Sequence, residues 1–178
     1  MVQLGQSLYG MGQSEDTPEA RNRRFAQAEK KYKRAVSIDP DDYDTWHNWG
    51  NLYLAWGKSE DTPEARNRRF AQAEEKYKHA VSIAPDDYDT WHNWGVLCVT
   101  RAESEDTPEV RNSLFAQAEE KCKHAVSIDP DEYEPWYNWG NLYTAWGKSE
   151  DTPEARNSLF AQAEKKYKRA VSIDPEKF

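Results

Sequence analysis

The stretch SEDTPEARNRRFAQAEEKYKHAVSIAPDDYDTWHNWG, residues 59–95, decides the fold, because the 37 residues that begin at Ser14 match it with only three changes. Prolines 40, 85, 130 and 175 mark four copies at a constant step of 45 residues. Self-similarity at such a period belongs to architectures in which each copy is one supersecondary element that buries its apolar face against the next. The chain therefore reads as a single repeat domain over residues 1–178, with units 1–45, 46–90, 91–135 and 136–178.

Working outward through the second unit, Trp46, Trp49, Tyr53 and Trp56 fall at i, i+3, i+7 and i+10. That is one stripe of a 3.6-residue helix, with Gly50 beside it. Asp41, Asp42 and Asp44 follow Pro40 where a helix N-terminus accepts negative charge and side-chain caps, and Gly57 ends the stripe. A second helix starts at Asp61-Thr62-Pro63-Glu64, since Thr or Asp caps, Pro suits the first turn and Glu suits the dipole. It is predicted to run to about Ile83 with Phe70, Ala73, Tyr77, Ala80 and Val81 as its apolar stripe, and Glu74 and Lys78 form an i,i+4 pair on its wet side. Connections of about six residues imply antiparallel neighbours, and no segment alternates with a period of two for long enough to make a strand. The predicted fold class is all-α, a solenoid of antiparallel helix pairs.

Composition narrows the function. Net charge is −8, charged residues make up 31%, and mean hydropathy is −1.09, but eight Trp, ten Tyr and five Phe supply the core that a disordered acidic chain lacks. An acidic balance argues against nucleic acid or an anionic membrane surface as the main partner, because both require a basic footprint. The N-terminal residues lack the charged lead and apolar run of a signal peptide, and no stretch nears the roughly 18 apolar residues of a membrane span. The expectation is a soluble, cytoplasmic protein. Cys98 and Cys122 both lie in the third unit, where the other units carry Tyr, and form no disulfide framework.

The pattern Trp46-x2-Trp49-Gly50-x2-Tyr53, followed by Ala73-x3-Tyr77-x2-Ala80 and Pro85, resembles the tetratricopeptide repeat (TPR) signature, and Trp136-Tyr-Asn-Trp-Gly-Asn-Leu-Tyr143 is closer still. The resemblance covers the chain four times, counting a first copy with Met1, Leu4, Gly5, Leu8 and Met11 on the stripe. It implies a right-handed superhelix. A typical TPR has 34 residues, and the excess here lies between Tyr53 and Ala73. Eleven added residues are about three helical turns, so the stripes keep their phase and the second helix lengthens. Plant mitochondrial import receptors are similar in having lengthened TPR helices, a likeness of length alone.

The resemblance also implies a partner groove lined by the first helices. In this chain it maps to Asp44, His47, Asn48, Asn51 and Leu54; to Asp89, His92 and Asn93, with Val96 and Val99; and to Glu134, Tyr137, Asn138, Asn141 and Thr144. Such an acidic, amide-rich lining hydrogen-bonds an extended protein or peptide segment, basic or neutral, and attracts its Lys and Arg side chains. The same asparagines also follow the common TPR pattern without any ligand. TPR co-chaperones grip an acidic C-terminus with basic groups and two asparagines; Asn51 and Asn93 match the amides, but His47, Glu134 and Asn138 stand where the basic groups belong. Acidic tails should therefore be rejected.

Other chemistry finds less support. His47 and His92 lie one repeat apart, and His79 and His124 sit on second helices, which gives no zinc spacing. The run Asp39-Pro-Asp41-Asp42-Tyr-Asp44 lacks the Gly and Glu of a calcium loop and reads as a capping turn. Arg66-Asn-Arg68-Arg69 shrinks to a lone Arg in the last two units and reads as a solvated face, with Leu114 and Leu159 replacing Arg. Polar residues recur in every unit, whereas catalysis needs one asymmetric constellation, so no enzyme, metal or cofactor is expected. Cys98 and Cys122 are expected to be two buried, unbonded thiols in a looser core. Finally, Phe160, Tyr167 and Val171 of the last second helix have no following first helix and form a candidate end-face contact. The favoured function is a non-enzymatic protein-interaction scaffold; the alternative is a self-assembling module, end-to-end or swapped, or an engineered or excised array with no specific ligand.

Overall fold

The computed structural model describes residues 2–177, and within them eight α-helices follow one another with no strand. They are α1 (Val2–Gln13), α2 (Pro18–Ile38), α3 (Tyr43–Lys58), α4 (Pro63–Ile83), α5 (Tyr88–Glu103), α6 (Pro108–Ile128), α7 (Tyr133–Ser149) and α8 (Pro153–Ile173), before a short 3₁₀ turn at Pro175–Lys177. The second helix of each repeat has 21 residues against 16 in α3 and α5, so the extra length lies where the repeat period places it.

Local chemistry sets the helix boundaries. Thr62 sits in an extended conformation and its hydroxyl accepts the Ala65 N–H at 3.3 Å, while Pro63 opens the helix where its missing N–H costs nothing. Asp42 caps α3 by accepting both the N–H of Thr45, at 3.4 Å, and its hydroxyl, at 2.5 Å. Asp87 does the same for Thr90 in α5. In α7 the capping pair is absent: Glu132 makes no side-chain cap bond, and Pro135 replaces the threonine.

Within a pair the helices run antiparallel, because Gly50 faces Tyr77 while the later Gly57 faces the earlier Phe70. A Cβ at Gly50 would lie 2.5 Å from Tyr77 Cε1, so the ring is packed directly on bare backbone. Phe70, Ala73, Tyr77 and Ala80 are fully buried, as the stripe predicts; Val81 is half-buried. The Glu74–Lys78 ion pair forms at 2.8 Å.

Two compact bodies result, Met1–Pro85 with α1 to α4 and Asp86–Phe178 with α5 to α8. In the first, α3 packs back onto α2: the Trp56 and Phe25 rings lie 5.6 Å apart and Tyr53 donates its hydroxyl to Glu29 at 3.0 Å. In the second, α7 repeats this seam on α6. Trp146 stacks on Phe115 at 5.5 Å, Tyr143 donates to Glu119 at 2.8 Å, and the Trp146 indole N–H donates to Asn112 at 3.0 Å. The lengthened second helices do not disturb this packing.

Several details differ from the sequence reading. Trp46 is only half-buried, because it lies in the first helical turn, where its indole N–H donates outward to the Pro40 carbonyl at 2.8 Å. Leu54, expected in the groove, is 8% exposed and belongs to the core. Arg69 is not a solvated charge: its guanidinium lies 3.5 Å above the Trp56 ring and bonds Glu60 at 3.2 Å. The corresponding Leu114 is buried, an apolar replacement for the covering arginine stem. Cys98 is buried and Cys122 half-buried, and neither forms a disulfide.

Candidate partner-binding cleft

In the first body Asp44, His47, Asn48 and Asn51 share α3, but two of them are spent on the fold. The Asn48 amide donates to the Asp44 carbonyl at 2.7 Å. Asn51 accepts the Tyr77 hydroxyl at 2.7 Å and places its amide nitrogen 2.9 Å from His47 Nε2. Asn51 thus fixes the ring that packs on Gly50, and the exposed Asp44 carboxylate carries the charge of this surface.

In the second body the expected residues of α5 and α7 converge. Asp89, His92, Glu134, Tyr137 and Asn138 line a cleft of about 490 Å³, together with Tyr88, Tyr133 and Lys177, which the sequence reading did not include. Tyr88 stacks on His92 with centroids 5.9 Å apart and accepts the Asn138 amide at 3.2 Å, so one tyrosine ties the two walls together. Tyr133 donates to Glu134 at 3.2 Å, and the Lys177 ammonium lies 5.9 Å from the Tyr133 ring. An adjoining depression of about 460 Å³ shares Tyr88, Asp89 and Glu134 and adds the carboxylates of Asp86, Asp129 and Glu132. Asn93 and Asn141 are not part of the cleft, and Asn141 accepts the Tyr167 hydroxyl at 2.8 Å.

Burial lowers the pKa of His92 below the usual imidazole value, with Asp89 and Glu134 opposing the shift. The ring is therefore neutral at pH 7. Burial, assisted by Glu134 and Asp89 and opposed by the Asn138 bond, pushes the Tyr88 phenol up to about 12. What remains at neutral pH is a rim over three tyrosine rings in which the carboxylates of Asp89 and Glu134 outnumber the one ammonium, Lys177. That combination suits a guanidinium or ammonium group, which gains charge attraction from carboxylates and ring-face attraction from aromatics. The repeated signal that could have revealed it is the tyrosine heading each acidic turn, Tyr43, Tyr88 and Tyr133, which the stripe pattern leaves outside the core.

The end-face residues Phe160, Tyr167 and Val171 line a shallow apolar trough of about 480 Å³ on α8, with Thr144 at its edge. Among the described residues no group of three His, Cys, Asp or Glu could hold a metal ion, and no helix is long and apolar enough to cross a membrane.

Comparison with known proteins gives two family matches. Residues 31–74 match the tetratricopeptide repeat, and residues 84–178, more than half of the chain, match the plant-specific mitochondrial import receptor subunit TOM20. No curated protein sequence matches significantly. Among solved structures the chain is similar to TTC0263, a thermophilic TPR protein in Thermus thermophilus, with a TM-score of 0.65 and 18% identity over 98% of this chain and 90% of that one. It is also similar to MamA of RS-1, a double mutant, with a TM-score of 0.57 and 14% identity over 97% and 76% of the two chains. MamA of MSR-1 gives 0.56 and 14% over 86% and 70%. At these identities the structures share the fold.

Proposed function

The chain belongs to the family of the plant-specific mitochondrial import receptor subunit TOM20, and from that premise we propose that it is a non-enzymatic receptor scaffold whose acidic cleft takes an extended, basic segment of a protein partner. The tetratricopeptide build is that of a protein–protein interaction scaffold. The observation that carries the finer reading is the meeting of Asp89 and Glu134 with Tyr88, Tyr133 and Tyr137 in one cleft. Segments that address proteins to mitochondria are rich in Arg and poor in acidic residues, the charge pattern opposite to this rim. Asp44 extends the same preference to the first body, and we take the four repeats of residues 1–178 to act as one cytoplasm-facing domain. Acidic peptides meet repulsion at Asp89 and Glu134, and nucleic acid and anionic membrane surfaces are excluded as partners on the same ground.

The test uses a fluorescent, arginine-rich, acid-free targeting peptide and anisotropy at fixed salt. Changing Asp44, Asp89 and Glu134 together to Lys should weaken binding at least tenfold, or about 1.4 kcal/mol, with the helical circular dichroism kept. Glu64→Lys, outside the cleft, should leave affinity within about twofold. Equal affinity in the triple variant and the parent would place the contact elsewhere.

A further inference from the structure

Among the described residues, the two halves of the seam that α3 makes on α2, and α7 makes on α6, each recur without a covering partner, on two different helices. The first half is on α8. Phe160 and Glu164 occupy the positions of Phe25 and Glu29 on α2 and of Phe115 and Glu119 on α6. Phe25 and Phe115 are 1% and 0% exposed beneath their tryptophans, whereas Phe160 is 37% exposed. The Glu29 and Glu119 side chains are 17% and 22% exposed, whereas that of Glu164 is 64% exposed. The face is built for a covering helix.

The second half is on α1. Gly5 faces Tyr32 and Gly12 faces Phe25, as Gly50 and Gly57 face Tyr77 and Phe70, so α1 is a first helix of the same type. Its Leu4, Leu8 and Met11 therefore stand where α3 carries Trp49, Tyr53 and Trp56, the stripe that covers the preceding second helix. No helix precedes α1 among the described residues, and Leu4 and Met11 are 49% and 48% exposed.

We infer that α1 of one copy docks on the outward face of α8 of a second copy, continuing the repeat seam between molecules. Met11 takes the place of Trp56 over Phe160, a thioether–ring contact that adapts to the smaller side chain. Leu8 lacks the hydroxyl that Tyr53 gives to Glu29, so Glu164 keeps its ion pair with Lys168, at 2.7 Å, along the rim. The two surfaces differ, so the contact is heterologous and adds copies in a row instead of closing at two. A contact made by a single helix on each side is of the kind that assembles weakly, so association depends on concentration.

Light scattering coupled to size-exclusion chromatography, with sedimentation equilibrium from about 5 µM to about 1 mM, tests this. The expected mass rises above 20.7 kDa with concentration and shows no plateau at a dimer. Leu4→Glu and Val171→Glu each block one surface, and both sites are solvent-exposed, so each variant should stay folded by circular dichroism and monomeric alone. Mixed at equal concentration, the two variants should form a dimer and nothing larger, through the one native pair of surfaces that remains. Met11→Glu and Val171→Lys serve as replacements if either variant fails to fold. A mass of 20.7 kDa at every concentration overturns the inference. So does association that survives both substitutions, or a Leu4→Glu variant that still dimerises, which would mean that α8 pairs with α8.

Discussion

Cys122 stands where the other repeats place a tyrosine ring, and the glycine across the helix crossing registers the difference. A Cβ at Gly50 would lie 2.5 Å from the Tyr77 ring, whereas one at Gly95 would meet Lys121 Cβ at 3.6 Å and Cys122 Sγ at 3.9 Å, ordinary contacts. Gly95→Ala should therefore stabilise the second body by up to about 1 kcal/mol, the usual gain of Ala over Gly inside a helix. Gly50→Ala forces the Tyr77 ring off its seat and should cost about 1 to 3 kcal/mol. Urea melts of the two variants check the opposite signs, and a loss of stability at Gly95 would show that the looser packing has closed in some other way. Cys122→Tyr with Gly95→Ala should be non-additive, since each change fills the same space. Burial, with Cys98 nearby, also pushes the Cys122 thiol up to about 12, so at pH 8 it should react slowly with thiol reagents.

The N-termini of the second helices show how much a single cap contributes. Thr62 bonds the Ala65 N–H at 3.3 Å, but Thr107 makes no such bond, and its own N–H is held by Glu105 at 2.9 Å. Thr62→Ala should cost about 1 kcal/mol and Thr107→Ala less than about 0.5, read as the difference between their thermal melts. Equal losses would mean that the hydroxyl bond is not what stabilises this turn. These caps and the stripes were legible in the sequence because each is decided within one or two helical turns or repeats at a fixed step, whereas the rings that pack on Gly50 and Gly57 come from the neighbouring helix. The commitment of Asn51 was not, because its partner Tyr77 lies 26 residues away on the neighbouring helix. Tyr88 joined the cleft for a similar reason: its partner Asn138 is 50 residues away, and no periodic pattern links them. Trp46 and Leu54 were misplaced by the same regularity, since the stripe gives a direction around the helix but not how far the neighbouring helix extends along it.

For the molecule as a whole, the tyrosines make alkaline pH the sensitive side. Burial raises the phenols of Tyr32, Tyr53 and Tyr77 above the ordinary value of 10 and pushes those of Tyr88 and Tyr143 up to about 12. The folded state favours the neutral phenol, so its contribution is complete below pH 10 and is lost as the pH climbs through 12. In an alkaline titration these tyrosinates should appear together with the loss of helical circular dichroism. Their full ionisation near pH 10 with helices intact would contradict the burial described. Acid acts on the cleft instead: burial holds the His92 pKa below the usual imidazole value, so its charge appears, and offsets Asp89 and Glu134, only at a pH lower than that at which a free histidine is charged. The recurrence of the seam bears on folding kinetics too. Each helix pairs with its sequence neighbour, a low contact order that favours rapid refolding from dilute solution. Yet α2 and α6 present nearly the same face, and a tangled chain gains almost as much by covering α2 with α7 as with α3. Concentrated refolding should therefore show a slow phase of unthreading misregistered pairs, so the copying that makes the architecture regular also delays its completion.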